Sequence, residues 1–341
     1  MRPAILPAAV LLLLTACATH RIAAPARSTA TPATTAVSTA STSPPPTASP
    51  TEPFAVGVRT FTFVDASRPT PATSAGQRQP SRTLVTTVWY PATGAASAAD
   101  IPDAPALRTS APFPIVVWAH GFNRVSSDYR SLLHRWASAG YVLAGPTLPS
   151  LRRPGPGQGP ASEADQASEP GDLGYVVTAL ASMNADPSSP LRGVVDPTRV
   201  IAAGHSDGAI DALALALAHC CHDPRVVAVV SIAGAEEPGV FGTYSGAGGV
   251  PLLVVQGDRD VHLTVSDAHS IYDPAAPPKY LLVLHGADHN TALLDVNVQP
   301  ARLLADAVVA FSHRYTKNAQ TIAGLDGEAK AAGFADFVHD P

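Results

Sequence analysis

Ser206 stands in Gly204-His205-Ser206-Asp207-Gly208. A serine hydroxyl becomes a useful nucleophile only when a base takes its proton. Gly-x-Ser-x-Gly arises often by chance, so its flanks decide what it means. Before it runs Arg199-Val200-Ile201-Ala202-Ala203, short and apolar in the manner of a buried strand. After it runs Ala209-Ile210-Asp211-Ala212-Leu213-Ala214-Leu215, rich in good helix formers. The serine therefore sits at a strand-to-helix turn, the context of a nucleophile elbow. Glycines on both sides spare such a strained turn the clash of side chains. The helix N-terminus adds partial positive charge where an oxyanion would develop. The chemistry that fits is acyl transfer.

Two later segments supply the partners. The apolar run Leu252–Gln256 leads into Gly257-Asp258-Arg259-Asp260, and Tyr280–Leu284 leads into His285-Gly286-Ala287-Asp288-His289. The order is serine, acid, histidine, each after a strand. Asp258 and Asp260 both qualify as the acid. His289 is the expected base, because His285 still belongs to the strand end while His289 lies in the loop that returns toward the serine. His134, His219 and His313 read as surface or helix-end residues. An oxyanion hole needs two backbone donors. One is the amide of Asp207. The other is the amide of Phe122 in His120-Gly121-Phe122-Asn123, which follows the strand candidate Ile115–Ala119. Gly121 permits close approach, His120 is structural, and the Phe122 ring faces the acyl pocket.

Positioning these residues takes an alternation of strands and helices. Ala55–Val64 and Thr83–Tyr90 alternate with period two and predict an opening antiparallel pair. The short apolar runs 115–119, 141–145, 200–204, 226–232, 252–256 and 280–285 predict strands covered on both faces. Helical patterns fall at 128–139, 171–183, 207–219, 261–272 and 300–315. The expected fold class is α/β, with a mostly parallel central sheet and helices on both faces. Residues 146–170 interrupt the alternation with Pro154-Gly155-Pro156-Gly157-Gln158-Gly159-Pro160, and this stretch either flanks the cleft or forms a surface loop.

The 341 residues are 46% hydrophobic and carry a net charge of −5, so no basic excess points to nucleic acid. The three cysteines show no metal-ligand spacing, and no metal is expected. Residues 1–16 read as a signal peptide, with Arg2 and an apolar run from Ala4 to Leu14 too short to span a bilayer. Its end, Leu14-Thr15-Ala16-Cys17, resembles a bacterial lipobox, which implies lipidation of Cys17 and an extracytoplasmic, membrane-anchored protein. Residues 17–53, mostly Ala, Thr, Ser and Pro, read as a disordered spacer. The hydrolytic domain is expected over 54–316. The tail 317–341 places Phe334 and Phe337 at helical spacing and either docks or is loose. Cys220-Cys221 closes the helix after the elbow and reads as two buried thiols, since adjacent Cα atoms sit closer than most disulfides allow.

Several segments together resemble the α/β-hydrolases similar to dienelactone hydrolase, the platelet-activating-factor acetylhydrolases and the cutinase-like esterases. They are Val88-Trp89-Tyr90-Pro91, Phe113-Pro114-Ile115-Val116-Val117-Trp118-Ala119-His120-Gly121, Gly140-Tyr141-Val142, Asp196-Pro197-Thr198-Arg199-Val200 and the elbow. The resemblance implies the α/β-hydrolase fold and cofactor-free cleavage of carboxylic esters by a Ser-His-Asp triad. It favours Asp260 as the acid, three residues after the glycine. Asp207 departs from the family, where Met, Leu or Gln is common. The alternatives are thioester, lactone or polyester hydrolysis on the same fold, or a tethered binding protein with a dead site.

Overall fold

The computed structural model describes residues 54–244, 249–317 and 333–340. Residues 1–53, read above as signal peptide and spacer and including Cys17, lie outside them. Ten strands form one sheet in the order β10-β9-β8-β7-β6-β4-β5-β2-β1-β3. In chain order they are β1 Ala55–Asp65, β2 Arg82–Ala92, β3 Asp100–Pro102, β4 Phe113–Ala119, β5 Val142–Pro146, β6 Val195–His205, β7 Val226–Ile232, β8 Leu252–Gly257, β9 Lys279–Leu284 and β10 Ala335–Asp340. The helices are α1 Arg130–Ser138, α2 Glu169–Ala185, α3 Asp207–Leu217, the short α4 Pro238–Phe241, α5 Val265–Tyr272 and α6 Gln299–Thr316.

Strands β4 to β9 run parallel, and β1 and β2 form the expected antiparallel pair, with β2 joining β5. Every residue of β4 is buried. Its side chains alternate between two cores: Ile115 and Val117 pack with α2, α3 and α5, while Val116 and Trp118 pack with α1 and α6. Continuous apolar strands are what two covered faces require. The chain passes from β4 to its neighbour β5, then returns to place β6 on the other side of β4. That reversal opens a crevice beyond the carboxyl ends of β4 and β6.

β3, α4 and β10 escape the sequence patterns, the first two because they are only three and four residues long. β10 corrects the reading of Phe334 and Phe337. It pairs antiparallel with β9 and includes Phe337, while Phe334 lies just before its first residue. Phe337 is accordingly buried and stacks on Tyr280, whereas Phe334 is exposed.

The thiol reading of Cys220 and Cys221 is also corrected, because the structure joins the two sulfurs in a vicinal disulfide. Helix α3 ends at Leu217, earlier than expected, so both cysteines lie in a turn and not on a helix where successive side chains diverge. Cys220 is exposed, not buried.

Candidate active site

The elbow is built as its glycines require. Ser206 holds φ 57° and ψ −128° between β6 and α3. A Cβ on Gly204 would meet the Gly208 carbonyl oxygen at 2.1 Å, and one on Gly208 would meet the Ala119 oxygen at 2.2 Å. The Ser206 amide donates to the Ile232 carbonyl of β7, which holds the strained turn down. Positive φ costs a non-glycine residue free energy, and the surrounding sheet imposes it.

His289, the expected base, arrives from the loop after β9. Nε2 of His289 lies 3.0 Å from the Ser206 hydroxyl, and Nδ1 lies 2.7 Å from Asp260 Oδ2. The carboxylate can only accept, so Nδ1 carries the proton and Nε2 is free to accept from serine. Asp260 follows β8. Its Oδ1 accepts from the amides of His262 and Leu263, and its Oδ2 also accepts from Gln256 Nε2. Burial alone would raise its pKa. The hydrogen bonds from His289, Leu263 and His262 outweigh that and hold the carboxyl below its ordinary value.

The rival residues have other tasks. Asp258 accepts the Gly286 amide and so orders the loop after β9. His285 points to Asp336 of β10. His134, expected on the surface, is buried between Asp100 and the Ser97 carbonyl. His313 reaches the Ala139 carbonyl.

The loop after β4 brings Phe122 beside Ser206 in one cleft of about 400 Å³, with Arg124, Glu163, Asp207, Glu237, His262 and Asn290. Neither the Phe122 nor the Asp207 amide donates to another described residue. His120 is structural, as expected. Its Nε2 accepts the Leu148 amide, so its Nδ1 donates to the Gly121 carbonyl. That carbonyl shares a peptide plane with the Phe122 amide, so His120 orients the donor. Burial pushes the ring down to about 4, which keeps it neutral.

Asp207 answers to its surroundings. Burial, then the charges of Glu163 and Glu237, pushes its carboxyl up to about 6, while its own amide pulls the other way. Its Oδ2 is buried and meets no hydrogen-bond partner among the described residues. Glu163 and Glu237 carry no motif. Glu163 comes from the 146–170 stretch, which does flank the cleft: Leu151 accepts the Asn123 amide, and Arg153 pairs with Asp128.

Comparison with known proteins agrees with this architecture. The chlorophyllase family model matches residues 103–239, a span that holds Phe122 and Ser206 and ends before Asp260 and His289. No curated protein matches the chain at a significant level. A ferulic acid esterase from Streptomyces cinnamoneus superposes with a TM-score of 0.65 at 21% identity, covering 85% of this chain and 98% of that one. The chain has the α/β-hydrolase fold. In this fold the parallel strands β4, β6, β8 and β9 lead to the Phe122 loop, Ser206, Asp260 and His289 in turn.

Proposed function

We propose that the protein is a carboxylic ester hydrolase acting through Ser206, His289 and Asp260. The observation that carries this reading is the hydrogen-bonded chain from Ser206 through His289 to Asp260, at 3.0 and 2.7 Å. His289 Nε2 takes the serine proton as Oγ attacks the ester carbonyl carbon. The carbonyl π electrons move to oxygen, and the amides of Phe122 and Asp207 donate to that oxyanion. The intermediate collapses, His289 protonates the departing alcohol, and Ser206 holds the acyl group. Water, deprotonated by His289, attacks the acyl carbon, and the bond to Ser206 breaks as His289 returns the proton to Oγ and the acid departs. Asp260 stays ionised and fixes the ring throughout.

Chlorophyllase and ferulic acid esterase are names of ester-cleaving proteins, which supports an ester over an amide as the scissile bond. A Ser206→Ala variant is expected to lose p-nitrophenyl ester hydrolysis by about 10³-fold or more while keeping its Tm. A folded variant with the parent rate would overturn the assignment. Labelling by a fluorophosphonate, lost in the same variant, separates this enzyme from a binding protein on a hydrolase scaffold. We also propose that lipidation of Cys17 holds the enzyme on an extracytoplasmic membrane face, on the strength of Leu14-Thr15-Ala16-Cys17.

A further inference from the structure

Between the donor loop and the base lies a buried chain of polar groups that the mechanism above does not use. The Gly121 amide donates to the Tyr129 hydroxyl at 3.1 Å. That hydroxyl lies 2.9 Å from Nδ1 of His205, and Nε2 of His205 lies 2.7 Å from the main-chain carbonyl oxygen of His289. Tyr129 is fully buried and His205 nearly so, at 0% and 2% exposure.

The proton order in this chain has one solution. A carbonyl oxygen only accepts, so His205 Nε2 carries a hydrogen and donates to His289. Burial and the neighbouring His289 push the His205 ring down to about 3, so it is neutral and its Nδ1 is an acceptor. Tyr129 must then donate to Nδ1, while its oxygen takes the hydrogen of Gly121. Every donor meets an acceptor, and no group can be reversed without leaving a buried partner unmatched.

We propose that Tyr129 and His205 form a positioning relay, one that locks the loop of the Phe122 oxyanion donor to the loop that carries the base His289. The inference rests on the ester hydrolase reading. His205 is bonded in sequence to the nucleophile and in space to the base, so one residue sets the separation of Ser206 and His289. Tyr129 extends the same constraint to Gly121, next to the Phe122 donor. Nothing in the relay gains or loses a proton during turnover. Its contribution is alignment, and misplacing reacting groups by ~1 Å costs on the order of 10²-fold in rate.

The test compares Tyr129→Phe, His205→Leu and His205→Gln with the parent enzyme on a p-nitrophenyl ester. Rates are expressed per active site, counted by end-point fluorophosphonate labelling. Tyr129→Phe keeps the ring that packs edge-on against Trp118 at 5.0 Å and deletes only the hydroxyl. It is expected to lower kcat about tenfold with KM within about twofold. His205→Leu, which cannot donate to His289, is expected to lose about 100-fold. His205→Gln restores a donor near the Nε2 position and is expected to recover to within about fivefold of the parent. A purely structural role would lower Tm and the count of active sites and leave kcat per site unchanged.

Parent kcat in Tyr129→Phe overturns the relay, and this variant decides the matter if His205→Leu does not fold. His205→Gln as slow as a folded His205→Leu overturns it too. A parent enzyme that hydrolyses no ester overturns the hydrolase reading and the relay with it.

Discussion

At the residue scale, Asp207 is the side chain whose chemistry the sequence posed as a question. Its amide is an oxyanion donor in the proposed mechanism, and its own carboxyl is the group that meets that amide. An ionised carboxylate there competes with the oxyanion for the same N–H and repels its charge. The carboxyl, raised to about 6 by burial and by Glu163 and Glu237, is neutral in mild acid and ionised above neutrality. Asp207→Asn is therefore expected to raise kcat/KM at pH 8 by about threefold to tenfold, roughly 1 kcal/mol. At pH 5 the two enzymes should nearly coincide. Equal ratios at both pH values, from a pH-rate series, would contradict this account.

At the element scale, α2 and α3 are pinned by groups that no pattern of apolar residues discloses. Glu169 opens α2, Asp211 lies inside α3, and both are fully buried. Glu169 accepts from the Ser150 hydroxyl, and its other partner is the Asp211 carboxyl. Burial raises both pKa values, helped at Glu169 by the charges of Asp172 and Asp165 and at Asp211 by that of Glu169, so the pair keeps a proton at neutral pH. Beside them Arg82 of β2, fully buried, is clamped by Asp172 and Asp165. A carboxyl raised in the folded state binds more protons there than when unfolded, so stability falls as pH rises above about 4, its unfolded value, toward its folded one. Asp211→Asn removes one of the two acids and can donate its amide to Glu169. The parent Tm is expected to fall between pH 5 and pH 8, and the variant Tm to fall less. Parallel Tm curves would show that the pair does not carry the dependence.

At the scale of the whole molecule, the site exists because the sheet reverses its strand order between β4 and β6. Residues from Gly121 to Asn290 thereby share one cleft. No helix among the described residues is long and apolar enough to cross a membrane. In our proposal membrane attachment rests on Cys17 and the lipobox-like Leu14-Thr15-Ala16-Cys17. In a bacterial host the full chain is expected in the membrane fraction. Cys17→Ala should release it or leave it unprocessed, and globomycin should block maturation of the parent. Processing insensitive to globomycin would rule out the lipid anchor.

Much of this was legible in the linear order of residues. Val200 to Leu215 identify a strand, a turn and a helix, because burial on two faces and helix propensity are local properties. The succession Ser206, Asp260, His289 follows from where later strands end. Other features depend on which distant segments meet. Tyr129 lies 76 positions before His205, and only the packing of α1's entry beneath the elbow joins them. Glu163 and Glu237 reach Asp207 from loops without periodic signal. Phe334 and Phe337 stand at helical spacing, and local spacing left open whether the tail docks or is loose. Pairing with the free edge of β9 settled it. Residue types and local spacing thus determined the candidate groups and most of the elements. The tertiary structure decided proton order, field and alignment, since these depend on distances between groups far apart in the chain.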